Sequence, residues 1–260
     1  MSDTFESFSR QVMGRTYGSD VDWVVLETVD STNLLARRIL SEVAEPHDGR
    51  PVAVLAWTQR SGRGRRGRRW ESLPGQGIWA SLLVTDLPAD RLHSLSLLAG
   101  VSLAGALQPY IQAPVQLKWP NDLWVDRRKL GGILVDVTSS NGRRSATIGF
   151  GVNHGRTLPS LQGREATSVT NETALPPEMA RLAVEMVEAL RLDVARQSDM
   201  QELLTRARQI LVHSPGDRME LETPDGPVAG VFRGLNDRGL LMLENAHGVQ
   251  CFASAEITSQ

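Results

Sequence analysis

The ten residues Ser61–Trp70 form a run of arginine and glycine that constrains how the surrounding chain can fold. The run contains five arginines and three glycines. Glycine raises the conformational cost of a helix, and arginines on every side leave no apolar face to bury. The stretch is therefore predicted to be a mobile loop. A loop this basic suits a polyanion such as the phosphates of a nucleotide.

The glycines of this loop also fit the G-x-G-x-x-G pattern of dinucleotide-binding proteins. That pattern needs a strand before it and a helix that opens at its last glycine. The apolar run Pro51–Trp57 supplies a strand, but a proline and two glycines between residues 74 and 77 exclude a long helix after the loop. The dinucleotide interpretation is therefore disfavoured. A solvated basic loop or a nucleic-acid patch remains the simpler alternative for this stretch alone.

Composition narrows the class of protein. The formal net charge of the 260 residues is -2, so the basic cluster is local and the chain is not a general nucleic-acid-binding protein. The single cysteine, Cys251, excludes a disulfide framework and a cysteine-rich zinc site. Neither a secretion signal nor a membrane-spanning run is evident, so we expect a cytoplasmic protein without a membrane partner.

The two lysines of the chain are candidates for a specific role. Only Lys118 and Lys129 are lysines among the 28 basic residues, and the others are all arginines. Lysine carries a compact ammonium, whereas arginine carries a planar guanidinium, so the two cations are not interchangeable in a binding site. Chance is the alternative explanation for so small a number.

Apolar runs and helical stripes alternate along residues 21–212 and predict one large domain. Neighbouring short strands separated by turn residues predict antiparallel hairpins within one sheet. The predicted strands are Asp22–Val29, Val52–Trp57, Gly77–Val84, Val115–Lys118, Leu123–Val125, Lys129–Val137 and Ser145–Val152, and the predicted helices are Leu34–Leu40, Leu92–Tyr110, Pro177–Leu192 and Met200–Val212.

The two ends of the chain differ from this large domain. Residues 1–20 are polar with few apolar anchors, which predicts a frayed tail or a short helix. Residues 213–260 contain four short β runs separated by turn signals, which predict a small β-barrel. The predicted domain boundaries therefore fall after residues 20 and 212.

Four short motifs occur in one order along the chain, and a fifth follows them. They are Ser31-Thr32-Asn33, the loop Gly62–Trp70, Lys118-Trp119-Pro120-Asn121-Asp122 and Lys129–Ile133, followed by Gly149–Asn153. In this order and spacing they resemble the catalytic domain of biotin–protein ligases, enzymes that attach biotin to carrier lysines. The resemblance covers Ser31–Asn153 strongly and the C-terminal barrel more weakly. The arginine–glycine loop and the Lys-Trp-Pro-Asn-Asp motif are specific only in combination.

The resemblance implies a fold and a set of partners. The fold would be α+β, with helices packed on a mixed, largely antiparallel sheet related to class II synthetases, followed by an SH3-like barrel. ATP and Mg²⁺ would be required, biotin would be the substrate, and a biotin carboxyl carrier protein of acetyl-CoA carboxylase or a similar carboxylase would be the acceptor. About 20 residues before the domain are too few for a helix-turn-helix, so a monofunctional ligase without DNA binding is expected. A monomer or a weak homodimer is expected.

The same resemblance assigns roles to residues. Lys129, Arg65, Arg63 and Asp122 would be catalytic, with Asp122 also a candidate Mg²⁺ ligand and proton acceptor. Trp70 would pack against the adenine. The implied biotin contacts are Ser31, Thr32, Asn33, Gln59, Gly62, Arg63, Arg65, Lys129, Gly131 and Gly132, and the implied ATP and adenylate contacts are Arg65, Arg66, Trp70, Lys118, Asn121, Lys129 and Asn153.

The chemistry of acyl activation agrees with these residue types. A carboxylate and ATP are both anions, so cations must offset their repulsion and stabilise the charge that develops at the α-phosphate. Positioning and electrostatics suffice without a covalent nucleophile. Hydroxyl and amide groups at Ser31, Thr32 and Gln59 supply the donors and acceptors that a ureido ring needs. The alternative roles are helix capping for Ser31 and Thr32, ion pairing for Lys118, and general attraction of anions for Arg66, Arg68 and Arg69.

Two other functions stay open at this point. A lipoate or octanoate ligase or transferase of related fold would need an apolar tunnel, against which the three polar residues above argue. A nucleic-acid-binding module would bind through the arginine loop with a steep salt dependence and no ATP turnover. The negative net charge and the single basic run disfavour that module.

Overall fold

The computed structural model of the protein describes residues 4–42, 49–140, 142–156, 165–196 and 199–259. The helices of this part of the chain are α1 Phe5–Arg15, α2 Thr32–Glu42, α3 Leu95–Leu107, α4 Val169–Glu172, α5 Met179–Ala195 and α6 Met200–Ile210. The strands of the main sheet are β1 Asp22–Val29, β2 Val52–Gln59, β3 Gly77–Val84, β4 Gln116–Lys118, β5 Asp122–Val125, β6 Arg128–Ser140 and β7 Arg143–Asn153. A second sheet contains β8 Arg218–Thr223, β9 Gly226–Leu235, β10 Leu241–Asn245, β11 Gly248–Phe252 and β12 Glu256–Ser259.

The main sheet has seven strands in the order β1-β2-β3-β7-β6-β5-β4. Its first two strands are parallel, and every other neighbouring pair is antiparallel. Parallel strands require a crossover connection, and α2 lies in the segment that joins β1 to β2. Direct hairpins join the strands from β4 to β7. The predicted α+β fold with a mixed, largely antiparallel sheet and packed helices is confirmed.

Helix α3 is the central helix of the core. Its residues are apolar on every side, and ten of them are buried. Gly100 lies so close to the sheet that a Cβ there would come within 2.7 Å of Leu117. The helix predicted over Leu92–Tyr110 is thus present and buried, although 3₁₀ turns at Ala89–Ser94 and Gln108–Tyr110 replace its two ends. A proline inside the second turn explains why the α-helix stops there.

The N-terminal segment adopts the second of the two states that its sequence predicts. Helix α1 begins after Thr4, whose hydroxyl accepts the backbone N–H of Ser7 at 3.3 Å. Phe8 and Val12 are buried in the main core, and α1 lies against α5 and β1. Two apolar residues one turn apart were therefore enough to attach this polar segment to the domain.

The C-terminal sheet has five antiparallel strands in the order β11-β10-β9-β8-β12, which is compatible with an SH3-like domain. Four of these strands were predicted. The fifth, β12, was missed because it is short and mostly polar, and its pairing with β8 defines it. The apolar side chains of this sheet, including Phe232 and Leu243, belong to the same buried cluster as the main core.

Among the residues described, no helix is both long enough and apolar enough to cross a membrane. The division of the chain at residues 20 and 212 remains a prediction.

Candidate active site

A cavity of about 670 Å³ lies where the main sheet, the arginine loop and strand β12 meet. It collects side chains from four of the predicted motifs and from the end of β2. The predicted site residues that line it are Ser31, Thr32, Asn33, Gln59, Arg63, Arg65, Trp70, Lys118, Asn121, Asp122, Lys129 and Gly132. Motifs separated by up to about 100 residues in the sequence therefore converge on one site.

The floor of the cavity is polar and closely hydrogen-bonded. Thr32 and Ser31, at the start of α2, are 3% and 2% exposed. The side-chain oxygen Oε1 of Gln59 accepts the backbone N–H of Thr32 at 2.9 Å, and Gln59 Nε2 donates to the Ser72 hydroxyl at 2.8 Å. A backbone N–H can only donate, so these contacts fix which end of the Gln59 amide faces Thr32.

Asn33 lines the same floor, but protein atoms engage both ends of its amide. Its Nδ2 lies 3.2 Å from the carbonyl oxygen of Leu134 and 3.2 Å from a carboxylate oxygen of Asp136. Its Oδ1 lies 2.6 Å from the hydroxyl of Ser81. This contact set assigns Asn33 a role in holding the floor together.

A half-buried ion pair also lines the cavity. Lys129 Nζ lies 2.7 Å from Asp122 Oδ1, and the two side chains are 15% and 14% exposed. Lys129 Nζ is also 5.3 Å from the centre of the Trp70 ring. Strand pairing between β5 and β6 brings the two motifs together, because Asp122 lies opposite Gly132 in the register. The ammonium thus sits at a fixed place beside an aromatic ring and a carboxylate.

Arg65 is the most enclosed cation of the arginine loop. One of its guanidinium nitrogens, Nη1, donates to Asn121 Oδ1 and to the carbonyl oxygen of Ala255, each at 3.2 Å. Burial lowers the pKa of the Arg65 guanidinium, and the negative charge of Asp122 acts in the opposite direction. A cation in such surroundings gains from any further anion that enters the cavity.

The arginine loop itself has a defined turn structure. The backbone N–H of Trp70 donates to Gly62 O at 2.8 Å, and that of Gly64 donates to Arg68 O at 2.7 Å. Arg66 lies at the tip in the left-handed region with φ 56°. The predicted absence of a packed helix is confirmed, since the loop contains only the three-residue 3₁₀ turn Arg65–Gly67.

Contacts with the C-terminal sheet hold the tip of the loop. Arg68 Nη1 lies 2.7 Å from a carboxylate oxygen of Glu256, and Arg66 Nη1 lies 3.5 Å from the other carboxylate oxygen. Arg66 also donates to the carbonyl oxygen of Glu222. The second sheet therefore contributes directly to the wall of the cavity.

Two glycines make room for the indole of Trp70. A Cβ at Gly151 would lie 2.7 Å from the Trp70 ring, and a Cβ at Gly132 would lie 3.1 Å from it. Trp79 meets the same ring edge-on at 6.3 Å between centroids. The Trp70 indole is thereby fixed beside the cavity.

Four predicted site residues lie outside the lining of the cavity. Gly62 and Gly131 serve close backbone approach, because a Cβ would meet Trp70 O at 2.4 Å and Gly151 O at 2.6 Å, respectively. Arg66 is turned toward the C-terminal sheet. Asn153 is 2% exposed and donates to Thr167 O at 3.0 Å. Their roles in ligand binding remain predictions.

The cavity also contains residues to which the sequence assigned no site role. Arg68 and Arg69 were considered only for general attraction of anions. Other lining residues belong to the motifs but were given no role in ligand binding, namely Gly64, Trp119, Pro120, Ile133, Gly149, Phe150 and Gly151. No motif pointed to the last group, which is Glu71, Leu134, Glu256 and Ile257.

Lys118 lies at the cavity wall with its Nζ 4.6 Å from the centre of the Trp124 ring. Within the part of the chain that the structure describes, no group of three or more histidine, cysteine, aspartate or glutamate side chains could hold a metal ion by itself. Asp122 is the carboxylate that was predicted to contact Mg²⁺. Since Mg²⁺ at nucleotide sites is usually held by phosphates, water and one or two carboxylates, Asp122 fits such a supporting role.

Comparison with known proteins agrees with the fold and the position of the site. Residues 25–153 match the model of the "Biotin/lipoate A/B protein ligase family". The Escherichia coli bifunctional ligase/repressor BirA is 30% identical over 258 residues, covering 96% of this chain and 77% of that protein. The biotin–[acetyl-CoA-carboxylase] ligase of Mycobacterium tuberculosis is 29% identical over 244 residues, covering 90% of this chain and 89% of that protein.

A solved structure extends the likeness to the whole fold. The biotin protein ligase from Aquifex aeolicus in complex with biotin and ATP superposes with a TM-score of 0.73 at 23% identity, covering 91% of this chain and 97% of that one. The class of protein that these comparisons define is a ligase. More narrowly, the chain belongs to the biotin/lipoate A/B protein ligase family.

Proposed function

We propose that this protein activates biotin with ATP to give biotinyl-5′-adenylate and then transfers biotin to a lysine of a biotin carboxyl carrier protein. One observation carries the proposal. A single cavity joins a polar floor, formed by Ser31, Thr32 and Gln59, to a cationic wall that contains Lys129 and Arg65. The floor suits a ureido ring and the wall suits a carboxylate that meets a triphosphate.

In the first step a carboxylate oxygen of biotin attacks the α-phosphorus of ATP. A new oxygen–phosphorus bond forms, the bond to the β-phosphate breaks, and pyrophosphate leaves. Lys129 offsets the repulsion between the two anions and stabilises the negative charge on the α-phosphate oxygens. Arg65 and Arg63 complete the charge compensation from the loop, and the Trp70 ring offers a surface for the adenine.

In the second step the neutral amine of the carrier lysine attacks the acyl carbon of the adenylate. An amide bond forms, AMP leaves with the pair of electrons of the broken bond, and one proton must be removed from the nitrogen. Asp122 is the proposed acceptor of that proton, because its carboxylate lies 2.7 Å from Lys129, the proposed contact of both the acid and the α-phosphate. The arginine loop shields the adenylate from water between the steps.

Bound Mg²⁺ would screen the phosphate charges, and Asp122 together with Asn121 would hold it through the Lys-Trp-Pro-Asn-Asp turn. The residues Ser31, Thr32, Gln59, Gly132 and Lys129 are proposed biotin contacts, whereas Lys118 and Asn121 belong to the nucleotide half. The carrier protein as acceptor follows from the ligase chemistry. A cytoplasmic location and a monomer or weak homodimer remain predictions.

A lipoate or octanoate substrate fits the floor poorly. A dithiolane ring or an alkyl chain offers no hydrogen-bond partner, so the second N–H of Gln59 Nε2 would be enclosed and left unpaired at a cost of about 1–3 kcal/mol. This penalty favours biotin within the family.

The proposal is tested by pyrophosphate release from magnesium-ATP with biotin, lipoate or octanoate as the acid. We expect release with biotin only, and transfer of biotin to the lysine of an added apo carrier protein. Release that requires lipoate or octanoate would move the assignment to the other branch of the family. No release with any of the three acids would overturn the proposed reaction.

A further inference from the structure

A row of polar side chains leads from the floor of the cavity to the buried Ser81, and its oxygen–oxygen distances decide the direction of its hydrogen bonds. The row begins at Asn33. A backbone carbonyl cannot donate a proton, so the contact with Leu134 O requires Nδ2 of Asn33 on that side, and the Asp136 carboxylate requires the same orientation. The amide oxygen of Asn33 must therefore face Ser81.

Ser81 is the next member of the row and is completely buried. Its hydroxyl oxygen lies 2.6 Å from Asn33 Oδ1 and 2.8 Å from the hydroxyl oxygen of Thr32. A serine carries one hydroxyl proton, and an amide oxygen has none to give. The proton of Ser81 must therefore go to Asn33, and the proton between Ser81 and Thr32 must come from Thr32.

Thr32 consequently has no proton left for anything else. Its hydroxyl oxygen also lies 3.2 Å from Gln59 Oε1. One hydroxyl proton cannot serve both contacts, so we assign it to the shorter one, at 2.8 Å to Ser81. Gln59 Oε1 already accepts a hydrogen bond from the backbone N–H of Thr32 at 2.9 Å. Toward the cavity, Thr32 thus offers only lone pairs and acts as an obligate acceptor.

Gln59 has the opposite character. Its Nε2 carries two N–H groups, one of which goes to Ser72 at 2.8 Å. The floor therefore places an acceptor at Thr32 next to an amide donor at Gln59. A cyclic urea, with N–H groups on either side of a carbonyl, has the complementary sequence of groups.

We propose that Asn33 and Ser81 are positioning residues that determine ligand specificity by fixing the direction of the hydrogen bond at Thr32. They make the pocket select a ring N–H at that point and reject an acceptor atom of the same size. The inference rests on the proposed function, since it names biotin as the ligand. It goes beyond that function by assigning specificity to two side chains whose polar atoms meet protein atoms.

The test compares biotin with the two cyclic carbamates in which one ring N–H or the other is replaced by oxygen. In the wild-type protein, the carbamate whose oxygen meets Thr32 should bind at least about 100-fold more weakly than biotin, because two acceptors face each other. In Ser81→Ala the Thr32 proton is released and can be donated to that oxygen. The dissociation constant of that carbamate divided by that of biotin, both measured by calorimetry without ATP, should then fall by about tenfold.

A second variant also allows the Thr32 hydroxyl to donate to the ligand. In Asn33→Ala the amide oxygen is gone, so Ser81 can donate to Thr32 and Thr32 can donate to the ligand. The ratio of the carbamate and biotin dissociation constants should fall again, and this result does not depend on whether Ser81→Ala folds well. Ser145→Ala removes another buried serine of the same sheet outside the cavity, and it should keep the wild-type ratio.

A merely structural role for Ser81 and Asn33 predicts a different result. Both variants would then weaken the binding of biotin and of the carbamate by the same factor. The unchanged ratio would overturn the inference and leave the proposed function standing, because the wild-type protein would still bind biotin. Failure of the wild-type protein to bind biotin would instead overturn the proposed function, and this inference with it.

Discussion

The two sides of the cavity are built in different ways. The floor at Thr32, Asn33 and Gln59 is held by hydrogen bonds between the first residues of α2 and strands of the main sheet, and the neighbouring groups decide which atom donates and which accepts. The arginine loop is held by ion pairs and carbonyl contacts with the C-terminal sheet, and the side chains involved are partly exposed, at 51% for Arg68 and 38% for Arg66.

This difference indicates that the floor discriminates between ligands, whereas the arginine loop can rearrange around them. A buried network in which the direction of each hydrogen bond is fixed is rigid and costly to disturb, so it can discriminate between ligands that differ by one atom. Exposed ion pairs contribute little free energy each, so a loop that depends on them can exchange its protein partners for ligand phosphates. The floor therefore selects the acid, and the loop responds to the nucleotide.

Lys129→Ala should give the largest effect, because it removes the ammonium that is proposed to offset the repulsion between the two reacting anions. We expect the rate of biotin-dependent pyrophosphate exchange to fall by about 10²–10³-fold, the usual cost of losing one group that stabilises charge in the transition state. Lys129→Arg keeps the charge but not the shape, and it should recover only part of the rate. Exchange within threefold of wild type in Lys129→Ala would remove this residue from the mechanism.

Gly149→Ala tests the rigidity of the floor. A Cβ at this position would lie 1.8 Å from Asn33 Oδ1, so the amide would be displaced from Ser81. We expect a loss of about 1–3 kcal/mol in the free energy of unfolding and a weaker affinity for biotin. Chemical denaturation and calorimetry measure the two quantities.

Gly64→Ala is the matched change in the loop. The nearest atom to its added Cβ is Arg68 O at 3.4 Å, and stability and biotin affinity should both stay close to wild type. Equal effects of the two substitutions would show that the floor is no more rigid than the loop.

The motifs explain why much of the floor was predictable. Ser31, Thr32 and Gln59 lie at the ends of elements whose apolar patterns are clear, and Lys129 follows a hairpin whose Asp126 and Arg127 both have positive φ, as a tight turn requires. Once the order of the motifs resembled a known family, the identity of these residues followed. Their convergence on one cavity is then a consequence of the fold.

The residues that hold the loop and the floor in place, such as Glu256 and Ser81, could not be predicted from the sequence in the same way. Glu256 meets Arg68 across 188 positions of sequence, and no local pattern reports such a contact. Ser81 lies in an apolar strand where a serine is ordinarily a minor packing residue. The direction of its hydrogen bond depends on a backbone carbonyl at residue 134, so it follows only from three-dimensional placement.

His213 offers a test of the packing between the main domain and the C-terminal sheet, which holds the arginine loop. It lies edge-on to Phe232 of the C-terminal sheet, at 6.1 Å between ring centroids, and within the described chain neither ring nitrogen has a hydrogen-bond partner. Burial lowers the pKa of His213 to about 4, with the charge of Lys118 acting in the same direction and that of Asp217 opposing it. The neutral ring is therefore the stable form in the folded protein.

The sign of the pH dependence follows from this shift. Because the folded pKa lies below the unfolded value of 6.5, the stabilisation is complete above pH 6.5 and is lost as the pH falls toward 4. We expect His213 to account for a loss of about 2 kcal/mol between pH 7.5 and pH 5. His213→Gln cannot titrate, so its free energy of unfolding should fall by that much less over the same range. An identical pH dependence in the two proteins would exclude His213 as the source.

Glu256→Gln should have the smallest effect and tests how the arginine loop is held. Removing the carboxylate charge weakens the pairs with Arg66 and Arg68, so these cations become more available to phosphates. We expect the KM for ATP to fall by about two- to fivefold, while the free energy of unfolding changes by less than about 1 kcal/mol, as is usual for partly exposed ion pairs.

Glu244→Gln is the matched control, because it breaks the exposed pair with Arg233 in the same sheet, outside the cavity lining. It should change stability by a similar amount and leave the KM for ATP as it was. A KM that rises in Glu256→Gln would mean that the carboxylate holds the arginines in their working position, and the loop would then be as preorganised as the floor.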